Sequence, residues 1–154
     1  MLKSFYGLLN SKKIEKSLMK FRKIPIKKVS EIILRECHKE NLEYEIIKNN
    51  NHEFLIEINK GKKKTLIMFH KILAVTLYDY EKFSHMVAHR EANKGFYITT
   101  GVFQEDVYHK TYIDNFANHI KIFDGKKFIA SQRWIKNKRH EHISYDRLSF
   151  KSFY

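Results

Sequence analysis

Residues 53–71 read EFLIEINKGKKKTLIMFHK. EFLIEI (53–58) and TLIMFH (65–70) are short apolar runs rich in β-formers, and the basic NKGKKK between them contains Gly61, which supplies the flexibility of a turn. The stretch therefore predicts a strand hairpin. Along its second strand, side chains two residues apart share a face, so Met68 and His70 stand together and Lys71 stands opposite.

Upstream, SKKIEKSLMKFRK (11–23) sets Ile14, Leu18 and Phe21 at helical spacing among lysines, which predicts a basic amphipathic helix, and Pro25 separates it from the next helical segment. KVSEIILRECHKE (28–40) brings Val29, Ile32, Ile33, Glu36 and Cys37 near one helical face, with Ser30 available as a cap. YEIIKN (44–49) reads as a strand ended by the turn NNN.

Downstream, DYEKFSHMVAHREAN (79–93) is helical and ends at Asn93-Lys94-Gly95. GFYITTG (95–101) reads as a buried strand stopped by glycine. QEDVYHKTYIDNFAN (104–118) is a second helix with acids in its first turn, as the helix dipole favours. HIKIFDG (119–125) is the last strand and turn, and KKFIASQRWIKNKR (126–139) a closing basic helix. Alternating strands and helices imply parallel pairing, whereas the hairpin implies antiparallel pairing. The expected fold is α/β, a mixed central sheet of about five strands flanked by helices.

The chain has 154 residues with 43% hydrophobic and 14% aromatic content, enough for one domain with a core. Its formal charge is +13 and unevenly distributed. Residues 1–28 hold nine Lys or Arg against Glu15, and residues 126–154 hold eight against Glu141 and Asp146. Basic ends of this kind call for an anionic partner, nucleic acid first, because each neutralised phosphate releases counterions. An A+T-rich coding bias is the competing source of lysine, but it does not explain the shortage of acids at both ends. Cys37 is the single cysteine, which leaves no disulfide framework or cysteine zinc site within one chain. No apolar run approaches a membrane span, and MLKSFYGLLN is too short and interrupted for a secretory core. The expected location is the cytoplasm.

The stretch KGFYITTGVFQEDVYHKTYIDNFANHIKIFDGKKF (94–128), coming after the hairpin and a helix, resembles the Mrr-like branch of the restriction-endonuclease-like, PD-(D/E)XK superfamily. The resemblance rests on Thr99-Thr100-Gly101 with Phe103, a helix over 105–117, and a strand closing on Asp124-Gly125. It implies a restriction-endonuclease-like core over 28–130, with a basic helical extension at 1–27 and a basic aromatic extension at 131–154. In active relatives a helix acid, an Asp on the first hairpin strand and a Glu or Gln followed by x-Lys on the second converge on a divalent metal at the phosphate.

Carried onto this chain, the resemblance puts Glu31 or Glu36 in the place of the helix acid and Glu57 in that of the metal-binding Asp. Met68 then replaces the second ligand, and His70 replaces the lysine. Magnesium requires hard oxygen donors, so a thioether at Met68 points to a degraded centre that needs no cofactor. A retained centre would take Mg or Mn on Glu57 and Glu36, with Glu31 and Glu53 as further acids and His70 in the role of lysine.

Other constellations carry less. His85 and His89 share a helix face with Glu81 but have no evident third ligand, and His140-Glu141-His142 is weaker. No G-x-S-x-G turn or phosphate-binding glycine loop is present. Expected nucleic-acid contacts are Lys62, Lys63 and Lys64 in the hairpin turn and Arg133, Lys136, Lys138 and Arg139 near the C-terminal end. There, cations alternate with Trp134, Tyr145, Phe150, Phe153 and Tyr154, which suits a phosphate backbone and stacked bases, or else aromatics packed on the body or on a second subunit. The residues support three readings: a nucleic-acid-binding protein, with DNA preferred, whose nuclease centre is inactive and which acts in DNA processing or defence; an active metal-dependent endonuclease; and a structural subunit that docks a protein partner or a second copy.

Overall fold

The structure is a computed structural model that describes residues 2–114, 119–132 and 145–154. Two helices open the chain, α1 (Leu2–Phe21) and α2 (Ile26–Lys39). The strands β1 (Glu43–Asn49), β2 (Glu53–Lys60) and β3 (Lys63–His70) come next as an antiparallel meander. After them are β4 (Ala74–Val75), α3 (Leu77–His89), β5 (Lys94–Thr99), β6 (Val102–Phe103), α4 (Glu105–Asp114), β7 (Ile120–Phe123) and α5 (Gly125–Ser131). The main sheet has five strands in the order β1-β2-β3-β5-β7, with β3, β5 and β7 parallel. The expected mixed α/β sheet flanked by helices is therefore the architecture of the chain.

Alternation along the strands divides the core into two layers. Phe54, Ile56, Ile58, Ile67, Phe69, Phe96 and Ile98 face α1, α2 and α5. Leu55, Leu66, Met68, Tyr97, Ile120 and Ile122 face the side where α3 and α4 pack through Tyr80, Phe83, Val87 and Val107. Helix α3 begins two residues before its expected start, because Thr76 and Asp79 form a reciprocal capping box.

Thr99-Thr100-Gly101 and Asp124-Gly125 acquire a physical meaning here. Gly101 does not simply stop a strand: a Cβ on it would lie 2.2 Å from the carbonyl oxygens of both Ile72 and Leu73. The chain crosses itself there, and β4 and β6 pair as a second, two-stranded parallel sheet that the sequence did not announce. Asp124 is the N-cap of α5, its carboxylate accepting from Lys127 N–H at 2.7 Å. Gly125 leaves room for Leu18 of α1 and the Thr100 carbonyl, and its N–H donates to the Gly101 carbonyl at 2.9 Å.

The expected divisions at 27 and 130 do not appear as breaks in the core. Leu18, Phe21 and Ile24 are buried in the same layer as Leu148, Phe150 and Phe153. Phe150 and Phe153 contact Phe128, and Phe21 stacks on Phe128 at 5.0 Å. Tyr145 donates its hydroxyl to the Lys20 carbonyl at 2.6 Å, and Gln132 exchanges two hydrogen bonds with the Ser149 backbone. These tail aromatics are core residues, which removes Phe150 and Phe153 from both base stacking and partner docking. Arg133, Trp134, Lys136, Lys138, Arg139 and His140-Glu141-His142 lie outside the described residues, as does the expected continuation of α4 beyond Asp114 through 118.

Phe150 is fully buried between Phe69 and Phe128. Phe150→Ala is expected to cost about 3–5 kcal/mol, read as a lower urea midpoint with an unchanged transition slope.

Candidate functional site

The hairpin register decides which polar residues meet. Across β2 and β3, Glu53 pairs with His70, Leu55 with Met68, and Glu57 with Leu66. All of these point to the α3/α4 side, but Glu57 and His70 stand four residues apart on the ladder, about 13 Å at the usual strand rise. The structure thus corrects the expected partnership of Glu57 with His70: the acid beside His70 is Glu53. A side-chain period of two was legible in the sequence, but the register that selects one acid over the other was not.

Glu57 lies at the end of the sheet near the C-terminus of α3. Its carboxylate accepts from Arg90 at 3.0 Å and has Lys64 Nζ at 3.8 Å. Arg90 also makes two hydrogen bonds to Glu45 of β1, which hold that exposed carboxyl below its ordinary range. Lys64 donates to the Arg90 carbonyl as well. Glu57 is thus a buried acid neutralised by two cations, and Lys64, expected to touch nucleic acid, is instead committed to this network.

At the opposite end, His70 is buried between β2 and β5. Its Nδ1 shares a 2.7 Å hydrogen bond with the Tyr97 hydroxyl, and its Nε2 is 4.0 Å from Glu53. Burial holds Tyr97 protonated well above the ordinary phenol range, with Asp79 and Glu53 adding to the effect. A neutral His70 that accepts from Tyr97 at Nδ1 carries its own proton on Nε2, toward Glu53. Burial lowers the His70 pKa; Glu53 and Asp79 oppose that, while Lys48 and His52 reinforce it. Burial also raises Glu53, but its hydrogen bond and ion pair with Lys48, together with His70 and Asn50, bring it below the usual carboxylate range.

The helix acids are elsewhere. α2 packs on the other layer of the core, where Glu31 is exposed and Glu36 is buried. The Glu36 carboxylate accepts from Phe150 N–H at 3.1 Å and from the Tyr154 hydroxyl at 3.1 Å. It clasps the C-terminal segment and does not reach the face of Glu57 and Met68. Its burial on an apolar helix face was a visible signal for such a role.

A Mg or Mn centre requires several hard oxygens converging on one point. Here Glu36 and Glu31 are on the far side of the sheet, Glu57 is held by Arg90, and Glu53 is held by Lys48. Between the two hairpin acids stand Leu55 and the thioether of Met68, 3% and 7% exposed. The donor set does not fit either metal. His85 and His89 are exposed on α3, and among the described residues no group of three His, Cys, Asp or Glu gathers as metal ligands would.

No protein-family model matches the chain, and no curated protein matches it. Among solved structures, it is similar to the crystal structure of AF1548, a protein of unknown function, with 13% identity and a TM-score of 0.43. That match covers 64% of this chain and 58% of the other. It is also similar to the MspJI restriction endonuclease in complex with a 27-mer oligonucleotide, with 14% identity and a TM-score of 0.39. There the match covers 77% of this chain and 30% of the other, so the chain spans less than two thirds of either neighbour. No helix among the described residues is long and apolar enough to cross a membrane.

Arg90→Ala leaves Glu57 buried with only the long contacts of Lys64 at 3.8 Å and the Asn59 amide at 3.4 Å. A loss of about 2 kcal/mol or more is expected in urea denaturation, with Glu57→Gln restoring part of it in the double variant.

The lowered pKa of His70 means that the unfolded chain takes up a proton more readily than the folded one. Stability is therefore expected to fall as pH drops through the ordinary histidine value of 6.5 and to stop falling, for this group, below the folded pKa. Glu53 acts in a separate window, below its ordinary value of 4.5. Urea midpoints from pH 8 to 5 should decline in the wild type and decline less steeply in His70→Gln.

Proposed function

We propose that the protein binds nucleic acid, DNA in preference to RNA, on a restriction-endonuclease-like core with an inactive nuclease centre, and serves DNA processing or defence. The observation that carries this reading is the Leu55–Met68 pair, which occupies the ladder position between the two hairpin acids. Chemistry at that position would need oxygen donors, and the chain has placed two buried apolar side chains there.

The element order of α2, the β1–β3 meander, α3 and β5 supports the superfamily resemblance, as do the contacts that explain Gly101 and Gly125. Binding is supported by the +13 charge and by cations left at the surface, in α1, in α5 and at Lys62 and Lys63 of the hairpin turn. Held in place through its phosphates, the nucleic acid would be available to a partner that performs the cutting.

The test is incubation with labelled single- and double-stranded DNA and RNA over a salt series, in EDTA, Mg or Mn. The expected result is binding that weakens linearly in log salt, strongest for DNA, with no cleavage under any metal condition. Metal-dependent cutting that is lost in Glu53→Ala or Glu57→Ala overturns the inactive centre, and absence of binding at low salt overturns the whole reading.

A further inference from the structure

We infer that the phosphate backbone of the nucleic acid lies along the groove between α1 and α5, and not at the lysine-rich hairpin turn; this rests on the proposed nucleic-acid binding. The groove has a cavity of about 340 Å³ lined by Ile14 and Glu15 of α1 and by Lys126, Lys127 and Ala130 of α5. Lys12, Lys13, Lys16 and Lys20 on α1 are exposed, as are Arg22 and Lys23 just beyond its end and Lys126 and Lys127 on α5. Among the described residues, Lys12, Lys13, Lys16 and Lys126 are in no ion pair.

Opposing charge decides between the two basic surfaces. Lys62 and Lys63 sit at the end of the sheet that also carries Glu40, Glu43, Glu45, Glu57 and Glu91. There Lys60 and Lys64 are already paired, with Glu40 and Glu57. A phosphate arriving at that end would meet acids as well as lysines. The α1–α5 groove has Glu15 as its lining acid, and nearby Asp124 is engaged as a helix cap and by the Tyr108 hydroxyl. Its cations are therefore available to replace the counterions of a polyanion.

The position of the groove also has a geometric consequence. A Cβ on Gly125 of α5 would meet both Leu18 of α1 and the Thr100 carbonyl, so the three lie close together, and Thr100 N–H donates to the His70 carbonyl at 3.3 Å. The α1–α5 groove is therefore at the same end of the sheet as His70 and Glu53, on the opposite face, whereas Lys62 and Lys63 are at the other end of the hairpin.

The test compares Lys12→Glu/Lys16→Glu/Lys126→Glu with Lys62→Glu/Lys63→Glu, using a labelled 20-base-pair duplex and a 20-nucleotide single strand titrated at several salt concentrations in EDTA. The groove variant is expected to bind at least about ten-fold more weakly at low salt, with a log–log salt slope shallower by about two to three, as loss of that many phosphate contacts gives. The hairpin variant should change affinity by less than about three-fold. Since the reversed residues are exposed, matching urea midpoints will show that the fold is kept, and the corresponding Lys→Gln triple variant provides a milder version with the same direction of effect. Wild-type binding that survives groove reversal, or is lost instead in the hairpin variant, overturns the site alone. A wild type that binds neither oligonucleotide, or binds only vesicles rich in anionic lipid, overturns both the site and the nucleic-acid binding on which it rests.

Discussion

The bond from Gly125 N–H to the Gly101 carbonyl joins two turns that meet only because neither residue has a side chain. At that point the chain passes Ile72 and Leu73, the end of β5, the start of α5 and α1 at Leu18. A single methyl group at Gly101 would push against two backbone carbonyls, which cannot swing aside as a side-chain tip can. The small β4–β6 sheet, the seating of α1 on α5 and the position of His70 relative to both depend on that crossing. Two glycines far apart in sequence thus act as one structural element.

The α3/α4 face of the sheet is polar at both ends and apolar between them. Arg90 and Lys64 neutralise Glu57 at one end, while Tyr97, Glu53 and Lys48 surround His70 at the other. The Leu55–Met68 pair separates them. Each cluster satisfies its own buried groups, as the cost of an unpaired internal charge demands. Acids that would have to face a shared metal are instead each facing a cation.

Much of this was readable from the residues alone. The apolar runs at 53–58 and 65–70 and the alternation of strands and helices after them led to the mixed sheet, and Asp124-Gly125 marked a real boundary. What the pattern could not carry was long-range geometry. Choosing Glu53 over Glu57 required the hairpin register. Glu36 looked like a helix acid near a hairpin, but the backbone N–H that it accepts from is 114 residues away. Phe150 and Phe153 lie among cations in sequence, so a binding surface and packing on the body were equally open until their partners Phe69, Phe96 and Phe128 decided for packing. Local chemistry is written in neighbouring residues; these assignments depended on distant ones.

The closure of the aromatic layer also bears on how the chain reaches its native state. Tyr145 meets Lys20 and Phe150 meets Glu36 across separations of 125 and 114 residues, so segments from both ends of the sequence complete the same side of the sheet. The loop entropy for such contacts must be met before they contribute any stability. The layer formed by Phe69 and Phe96 of the sheet and Phe128 of α5 is consequently completed by contacts that carry a large loop-closure cost. A chain in which α1 or the 145–154 segment is not seated leaves part of that apolar layer uncovered, which is the kind of surface through which incompletely folded chains associate.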